Sequence, residues 1–188
     1  RTVAQYLADI GGGAYSAGDD VTIVDTGANI ASLSAAQIAA LAGNNLDAID
    51  ASDDLITLDD DQAIALAASA VTALASNGVD TIDTSDNALS LTVAQFQALG
   101  AVTLTAGDTV TIADTGANIS TLTTGQISTA TVDVINATSG TIAWTVAQYT
   151  AGVSKITGES VTLTDTGANL AGINAVGIAA LDAQVDAY

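Results

Sequence analysis

Aspartate recurs at one fixed place in a block of 21 residues that the sequence repeats six times. Each block opens with an apolar residue, near 21, 46, 79, 110, 132 and 161, and the fifth residue is aspartate in five of the six blocks. The aspartates at this place are Asp25, Asp50, Asp83, Asp114 and Asp165, and Asn136 stands in the remaining block. We call these residues the aspartate column.

Carboxylates at this spacing predict calcium chemistry if successive blocks stack. Neighbouring strands lie about 4.8 Å apart, where two like charges repel by about 1 kcal/mol in water. Ca²⁺ takes about six to eight oxygen ligands and would remove that repulsion. The predicted calcium ligands are Asp25, Asp50, Asp83, Asp114 and Asp165, with Asp53, Asp54 and Asp86 nearby.

A structural interpretation of the aspartate column stands beside the calcium interpretation. Aspartate before Thr-Gly or Ala-Ser favours a turn in which the carboxylate accepts a hydrogen bond from a backbone N–H two residues further on. In that case each aspartate caps its own turn and no ion is needed. The local sequences favour turn capping, and both interpretations stay open at this point.

Other repeated residues have structural explanations. Gly27, Gly116 and Gly167 predict a turn position with a positive φ angle. A second polar column predicts side chains that satisfy backbone groups at the turn. Its members are Asn29, Asn87, Asn118 and Asn169, with Asp54 and Gly140 at the same place.

Two further features could be binding sites, but structural roles are favoured for both. The run from Asp59 to Asp61 precedes an alanine-rich segment, and three acids there suit the positive end of a helix dipole. Trp144 occupies the apolar anchor position of its block, which predicts a large core residue and not a sugar-stacking platform.

The residues of the block also predict the secondary-structure elements that position these side chains. The opening Val, Ile and Thr residues predict a short strand that runs into a turn. Ser, Thr or Asp then stands three residues before Gln, which is the spacing of a helix capping box. Examples are Ser34 with Gln37, Asp59 with Gln62 and Thr145 with Gln148. Each block therefore predicts a strand, a turn and a short capped helix.

Connectors of different length separate blocks of fixed length, so that successive blocks start 25, 33, 31, 22 and 29 residues apart. A fixed block with variable connectors is typical of repeat architectures. The sequence predicts a repeat solenoid with a β-strand and a short capped helix in each coil, either leucine-rich-repeat-like or a right-handed β-helix. The predicted organisation is one domain over 1–188, with a partial repeat at 1–20 followed by the six blocks.

Composition excludes several classes of function. The 188 residues include 21 acidic and two basic side chains, giving a net charge of −19, and no His, Cys, Met or Pro. Nucleic-acid binding needs cationic side chains that face the phosphates, so we do not expect this chain to bind nucleic acid. The sequence contains no apolar run of about 18 residues, which predicts no membrane-spanning helix. Without His or Cys, and with only Arg1 and Lys155 as cations, we expect no enzyme.

The repeated DTGANI, DTGANI and DTGANL segments at 25–30, 114–119 and 165–170 resemble the repeats of very long secreted proteins of alphaproteobacteria, many of which look like type I secretion substrates. The resemblance spans nearly the whole chain. It implies an exported surface or biofilm-associated protein. The G-G-x-G-x-D nonapeptide of calcium-binding repeats, with which such proteins are often found, is missing here.

The function predicted from these observations is a structural or adhesive repeat segment of an extracellular bacterial surface protein. Its predicted partners are neighbouring repeats or further copies of itself, and cell-surface polysaccharide. Two alternatives remain: a secreted module that becomes ordered when Ca²⁺ binds, and a subunit of a surface layer or filament. No cofactor other than Ca²⁺ is expected.

Overall fold

The computed structural model describes residues 1–13, 15–16, 18–41, 44, 46–68, 81–85, 87–100, 102–173 and 185–187. The helices are α1 Val3–Gly11, α2 Gly27–Ile30, α3 Ala35–Ala39, α4 Asp60–Ala68, α5 Val93–Leu99, α6 Gly116–Ile119, α7 Thr124–Ser128, α8 Val146–Gly152 and α9 Gly167–Ala171. The strands are β1 Thr22–Asp25, β2 Ala48–Ala51, β3 Leu55–Leu58, β4 Thr81–Thr84, β5 Ala88–Leu91, β6 Thr103–Leu104, β7 Thr109–Thr115, β8 Val134–Ser139, β9 Ile142–Trp144, β10 Val161–Leu163 and β11 Val185–Ala187.

The chain divides into two compact units. The first contains residues 1–90 and 94–109, and the second contains residues 91–93 and 110–188. Within the first unit, β1 pairs with β2, and β4 pairs with β3 and β6. Within the second unit, β7 pairs with β8, and β10 pairs with β9 and β11. All of these pairings are parallel. The prediction of a single domain is not tested by this division.

The six blocks have two local structures. In the blocks that start at 21, 110 and 161, which we call the DTGAN blocks, the opening strand leads into the helical turns α2, α6 and α9. In the blocks that start at 46, 79 and 132, which we call the two-strand blocks, a turn leads instead into a second strand, β3, β5 or β9. The start of the block at 79 lies outside the described residues.

The spacing of apolar residues decides between the two structures. In the first DTGAN block the buried residues Ile30 and Leu33 are three apart, which is the spacing of one helix face. In the first two-strand block the buried residues Ile56 and Leu58 are two apart, which is the spacing of one face of a strand. The same difference separates Ile119 and Leu122 from the pair of Ile142 and Trp144.

The predicted repeat solenoid is wrong. The strands of the described residues form four short parallel sheets of two or three strands each, and not the continuous array of a leucine-rich-repeat-like solenoid or a right-handed β-helix. The prediction assumed one strand in each coil. Each two-strand block instead has its two strands in different sheets, such as β2 and β3 or β8 and β9.

The predicted capping boxes are confirmed. Thr2, Ser34, Thr123 and Thr145 each accept a hydrogen bond from the backbone of the glutamine three residues later, and that glutamine side chain bonds back to the cap. Asp59 and Gln62 make the same reciprocal pair before α4, at 2.7 and 2.9 Å. These bonds satisfy helix N–H groups that have no partner within the helix.

Candidate functional site

Asp25 joins two elements that are distant in sequence. Its Oδ1 atom accepts hydrogen bonds from the Thr26 backbone N–H at 2.9 Å and from the Asn29 side-chain amide at 2.7 Å. Its Oδ2 atom accepts from the backbone N–H of Val3, the first residue of α1, at 3.0 Å. The carboxylate therefore caps its own turn and also satisfies the N-terminus of a helix 22 residues earlier.

The same arrangement occurs in the other two DTGAN blocks. Oδ1 of each aspartate accepts from the next backbone N–H and from the asparagine four residues later, all at 2.7 Å. Oδ2 of Asp114 accepts from the N–H of Val93, which begins α5, at 3.0 Å. Oδ2 of Asp165 accepts from the N–H of Val146, which begins α8, at 3.1 Å. We call the three arrangements the aspartate clamps.

Each aspartate clamp joins two sequence motifs. The helix that donates its first N–H begins with Thr-Val-Ala-Gln, at 2–5, 92–95 or 145–148, and the aspartate that accepts it opens the next Asp-Thr-Gly-Ala-Asn segment. The separations are 22, 21 and 19 residues. Sequence analysis identified both motifs separately and missed their pairing, although the pairing could have been found from this nearly constant separation.

Hydrogen bonds hold the pKa of all three clamp carboxylates below the ordinary value. For Asp25 and Asp165 the asparagine side-chain bond is the main cause, and backbone N–H donors add to it while burial opposes it. For Asp114 burial is the largest influence and raises the pKa, but the bonds from Asn118, Thr115 and Val93 together outweigh it. The clamps are thus stabilised in their charged form.

The aspartate column is not brought together as predicted. Asp25 lies opposite Ala51 in the β1–β2 pair, while Asp50 lies opposite Val24. A shift of one residue puts Asp25 and Asp50 on opposite faces of the sheet, because successive side chains of a strand alternate. In the same way Asp114 lies opposite Ala137 and Asn136 opposite Ala113. Asp83 accepts a hydrogen bond from the Thr105 hydroxyl at 2.7 Å.

The calcium prediction for Asp25, Asp50, Asp83, Asp114 and Asp165 stays a prediction. Within the described parts of the chain, no three acidic side chains gather as a metal site. Asp53, one of the additional candidates, accepts the Gly27 backbone N–H at 2.7 Å. Asp86, another candidate, lies outside the described residues.

Further carboxylates that sequence analysis did not single out also bond to backbone N–H groups of other blocks. Asp47 accepts from Val21 at 2.8 Å, and Asp133 accepts from Val110 at 2.9 Å. Buried Asp108 accepts from both the backbone and the hydroxyl of Thr84. In each case a carboxylate accepts a hydrogen bond from a backbone N–H more than 20 residues away in the sequence.

The explanation predicted for the glycines is wrong. Gly27, Gly116 and Gly167 lack a positive φ angle, which occurs instead at Gly13, Gly18, Gly100, Gly140 and Gly158. Gly27 and Gly116 are needed for close approach, because a Cβ at Gly27 would clash with the carbonyl of Leu55 and one at Gly116 with the carbonyl of Thr141. The glycine lets a following strand pack directly on the helical turn.

The second polar column splits between the two block types. Asn29, Asn118 and Asn169 are helical and donate to the clamp carboxylates. At the same place in the two-strand blocks, Asp54, Asn87 and Gly140 have φ angles of 60°, 54° and 73°. These positive angles turn the chain into the second strand, a conformation that Asn, Asp and Gly accept most readily. The predicted role, in which these side chains satisfy backbone groups at the turn, is therefore replaced by two others: the asparagines bond to a carboxylate in the DTGAN blocks, and the aligned residues supply a positive φ angle in the two-strand blocks.

The remaining candidate groups also have structural roles. Trp144 is fully buried, with its indole N–H 3.5 Å from the carbonyl of Ile119, so the core assignment is confirmed. Lys155 donates from Nζ to the carbonyl of Thr129 at 2.6 Å, and burial lowers its pKa although Asp133 opposes the shift. Asp60 and Asp61 lie in the first turn of α4.

Comparisons with protein-family models, curated proteins and solved structures find no match. Among the described helices, none is both long and apolar enough to cross a membrane.

Proposed function

We propose that this chain is a structural and adhesive repeat segment of an extracellular bacterial surface protein. The observation that carries the proposal is the aspartate clamp, which occurs three times and uses a carboxylate to fasten one block to an earlier helix. Because the same hydrogen bond between a block and an earlier helix occurs three times, it supports a structural role for the repeated blocks. Its partners in this role are other repeats or copies and cell-surface polysaccharide.

The use made of the polar groups supports a structural role over catalysis. The clamp carboxylates face backbone N–H donors and asparagine amides, and the lysine faces a carbonyl. A general acid or base needs a group that substrate can reach with a pKa near the working pH. The clamp bonds act in the opposite direction, because they move the carboxylate pKa values further below neutrality.

Labelling of intact cells tests the extracellular part of the proposal. An antibody raised against the folded chain is applied to the producing bacterium before and after permeabilisation. We expect labelling of intact cells at the permeabilised level. Labelling that needs permeabilisation would contradict an extracellular location.

Attachment of the same cells tests the adhesive part. We expect cells with an in-frame deletion of residues 1–188 to attach less to a polysaccharide-coated surface than the parent cells. Asp114→Ala removes one aspartate clamp and is expected to reduce attachment in proportion to the folded protein that is lost. Asp20→Ala, at an exposed aspartate with the same charge, is the matched control. Unchanged attachment after the deletion would contradict an adhesive role.

A further inference from the structure

Two of the three DTGAN turns are covered by a following segment in the same way. The backbone of β3 packs on the Cα of Gly27, and the backbone that leads into β9 packs on the Cα of Gly116. Gly27 and Gly116 are buried as a result. Ile30 and Ile119, three residues later, are 1% and 0% exposed.

The covering segment also satisfies the end of the helical turn. Gln62 donates from Nε2 to the carbonyls of Ala31 and Leu33, which follow α2. Gln148 donates in the same way to the carbonyls of Ser120 and Leu122, which follow α6. The carbonyls at the C-terminus of a helix have no hydrogen-bond partner within the helix, and the side-chain amides of Gln62 and Gln148 satisfy them.

The two covering segments share one sequence pattern. Residues 56–62 read ITLDDDQ and residues 142–148 read IAWTVAQ. In both, two buried apolar residues alternate along a strand, a Thr or Asp follows, and Gln stands three residues later. The pattern therefore describes the chemistry that recognises a DTGAN turn.

The third DTGAN turn, α9, shares the Asp-Thr-Gly-Ala-Asn sequence, with Leu170 in place of isoleucine, but has a different exposure. Asp165 makes its aspartate clamp and Thr166 caps the turn, so the local structure is intact. Yet no residue of α9 is buried, Gly167 is exposed, and Leu170 and Ile173 are only half-buried. Ile173 also borders an open cleft of about 540 Å³, whose other lining residues include Val146 and Thr150 of α8 and Ala168 and Asn169 of α9.

We propose that the surface formed by Gly167, Leu170, Ala171 and Ile173 is a docking site for an extended segment with the pattern apolar, any residue, apolar, Thr or Asp, two residues, Gln. The segment places a backbone carbonyl over Gly167 and its apolar side chains against Leu170 and Ile173. Its glutamine donates to the carbonyls of Ala171 and Ile173. This inference rests on the two covered turns and is independent of the proposed extracellular role.

A titration of the ¹⁵N-labelled full chain with a synthetic peptide of residues 50–68 tests the proposal. We expect saturable NMR shifts of the Gly167 and Leu170 amides, absent with a scrambled peptide and weakened by Gln62→Ala in the peptide. Gly167→Ala in the chain should abolish binding, because a Cβ at Gly27 or Gly116 would meet the covering backbone. Gly125→Ala is the matched control, since a Cβ there meets nothing closer than 4.0 Å.

Joining the same segment after Tyr188 of the full chain provides a second measurement that does not depend on a weak affinity. We expect the joined segment to raise Tm by at least about 4 °C, and Gly167→Ala to remove that gain. No shift in the titration together with no gain in Tm would overturn the proposal. A gain in Tm that persists in Gly167→Ala would also overturn it. Concentration-dependent dimers of the free chain that Gly167→Ala dissociates would overturn it as well, because a second copy would then be the occupant.

Discussion

The DTGAN blocks and the two-strand blocks align without gaps, yet they fold differently after the fifth residue. In the DTGAN blocks the aspartate bonds to Thr, Asn and an earlier helix, and the chain makes a helical turn. In the two-strand blocks a residue with positive φ redirects the chain into a second strand. A shared polar position therefore does not fix local structure, whereas the spacing of the apolar residues beyond it does.

Adding a side chain at a covered glycine is expected to have the largest effect on stability. We expect Gly116→Ala to destabilise the protein by about 3 kcal/mol, because the new Cβ would meet the backbone of Thr141 and not a flexible side chain. Urea denaturation of Gly116→Ala and of Gly125→Ala measures this. A loss in Gly116→Ala no larger than the change in Gly125→Ala would mean that the turn tolerates a side chain.

Exchanging the apolar pattern tests whether spacing decides the block type. Ile30→Ala combined with Ala31→Ile moves the buried residue to the place that Ile56 has in the two-strand block. We expect a loss of about 2 to 3 kcal/mol, because Ile30 leaves a cavity in a turn that the aspartate clamp still holds helical. Unchanged stability on chemical denaturation would show that the two patterns are interchangeable.

Removing one aspartate clamp tests whether the aspartate has different roles in the two block types. We expect Asp114→Ala to cost about 1 kcal/mol, since the N-terminus of α5 and the turn at Asn118 both lose an acceptor. Asp50→Ala, at the aligned position of a two-strand block, is expected to change stability by less than about 0.5 kcal/mol. Equal losses from the two substitutions would contradict the distinction between block types.

The pH dependence of stability separates the clamp carboxylates from the other acids. Their folded pKa values lie below those of the unfolded chain. Their contribution is therefore present above the unfolded value of about 3.9 and is lost as pH falls through the lower folded values.

The triple variant Asp25→Asn, Asp114→Asn and Asp165→Asn isolates this contribution. We expect the parent chain to lose more stability than the triple variant when thermal unfolding is followed from pH 6 down to pH 2. Parallel curves for the two proteins would contradict clamps that favour the charged form.

The smallest expected effect is that of calcium. Because Asp25 and Asp50 lie on opposite faces of their sheet and the clamps engage N–H donors, we expect CaCl₂ to shift Tm by no more than about 2 °C relative to MgCl₂ at equal ionic strength. A larger rise that is specific to Ca²⁺, and that the triple Asn variant lacks, would instead support the predicted calcium site.

The sequence was sufficient for features that depend on near neighbours. Capping boxes need only Thr, Ser or Asp three residues before Gln, and they form as predicted at Ser34 and Thr145. The anchor role of Trp144 follows from its apolar position in the block. The fold class could not be predicted in this way, because a gap-free alignment suggested a pairing of equivalent residues that the strands do not adopt.

The local chemistry of each block follows from its own residues: where a strand begins, which hydroxyl or carboxylate caps a helix, and where the core residues lie. These features depend on residues within a few positions of one another. Long-range packing set which backbone approaches Gly27 and Gly116, which helix N–H each clamp carboxylate accepts, and how the described strands divide among four sheets. Those contacts join residues about 20 to 30 apart, and the connectors and a one-residue shift in pairing set their partners.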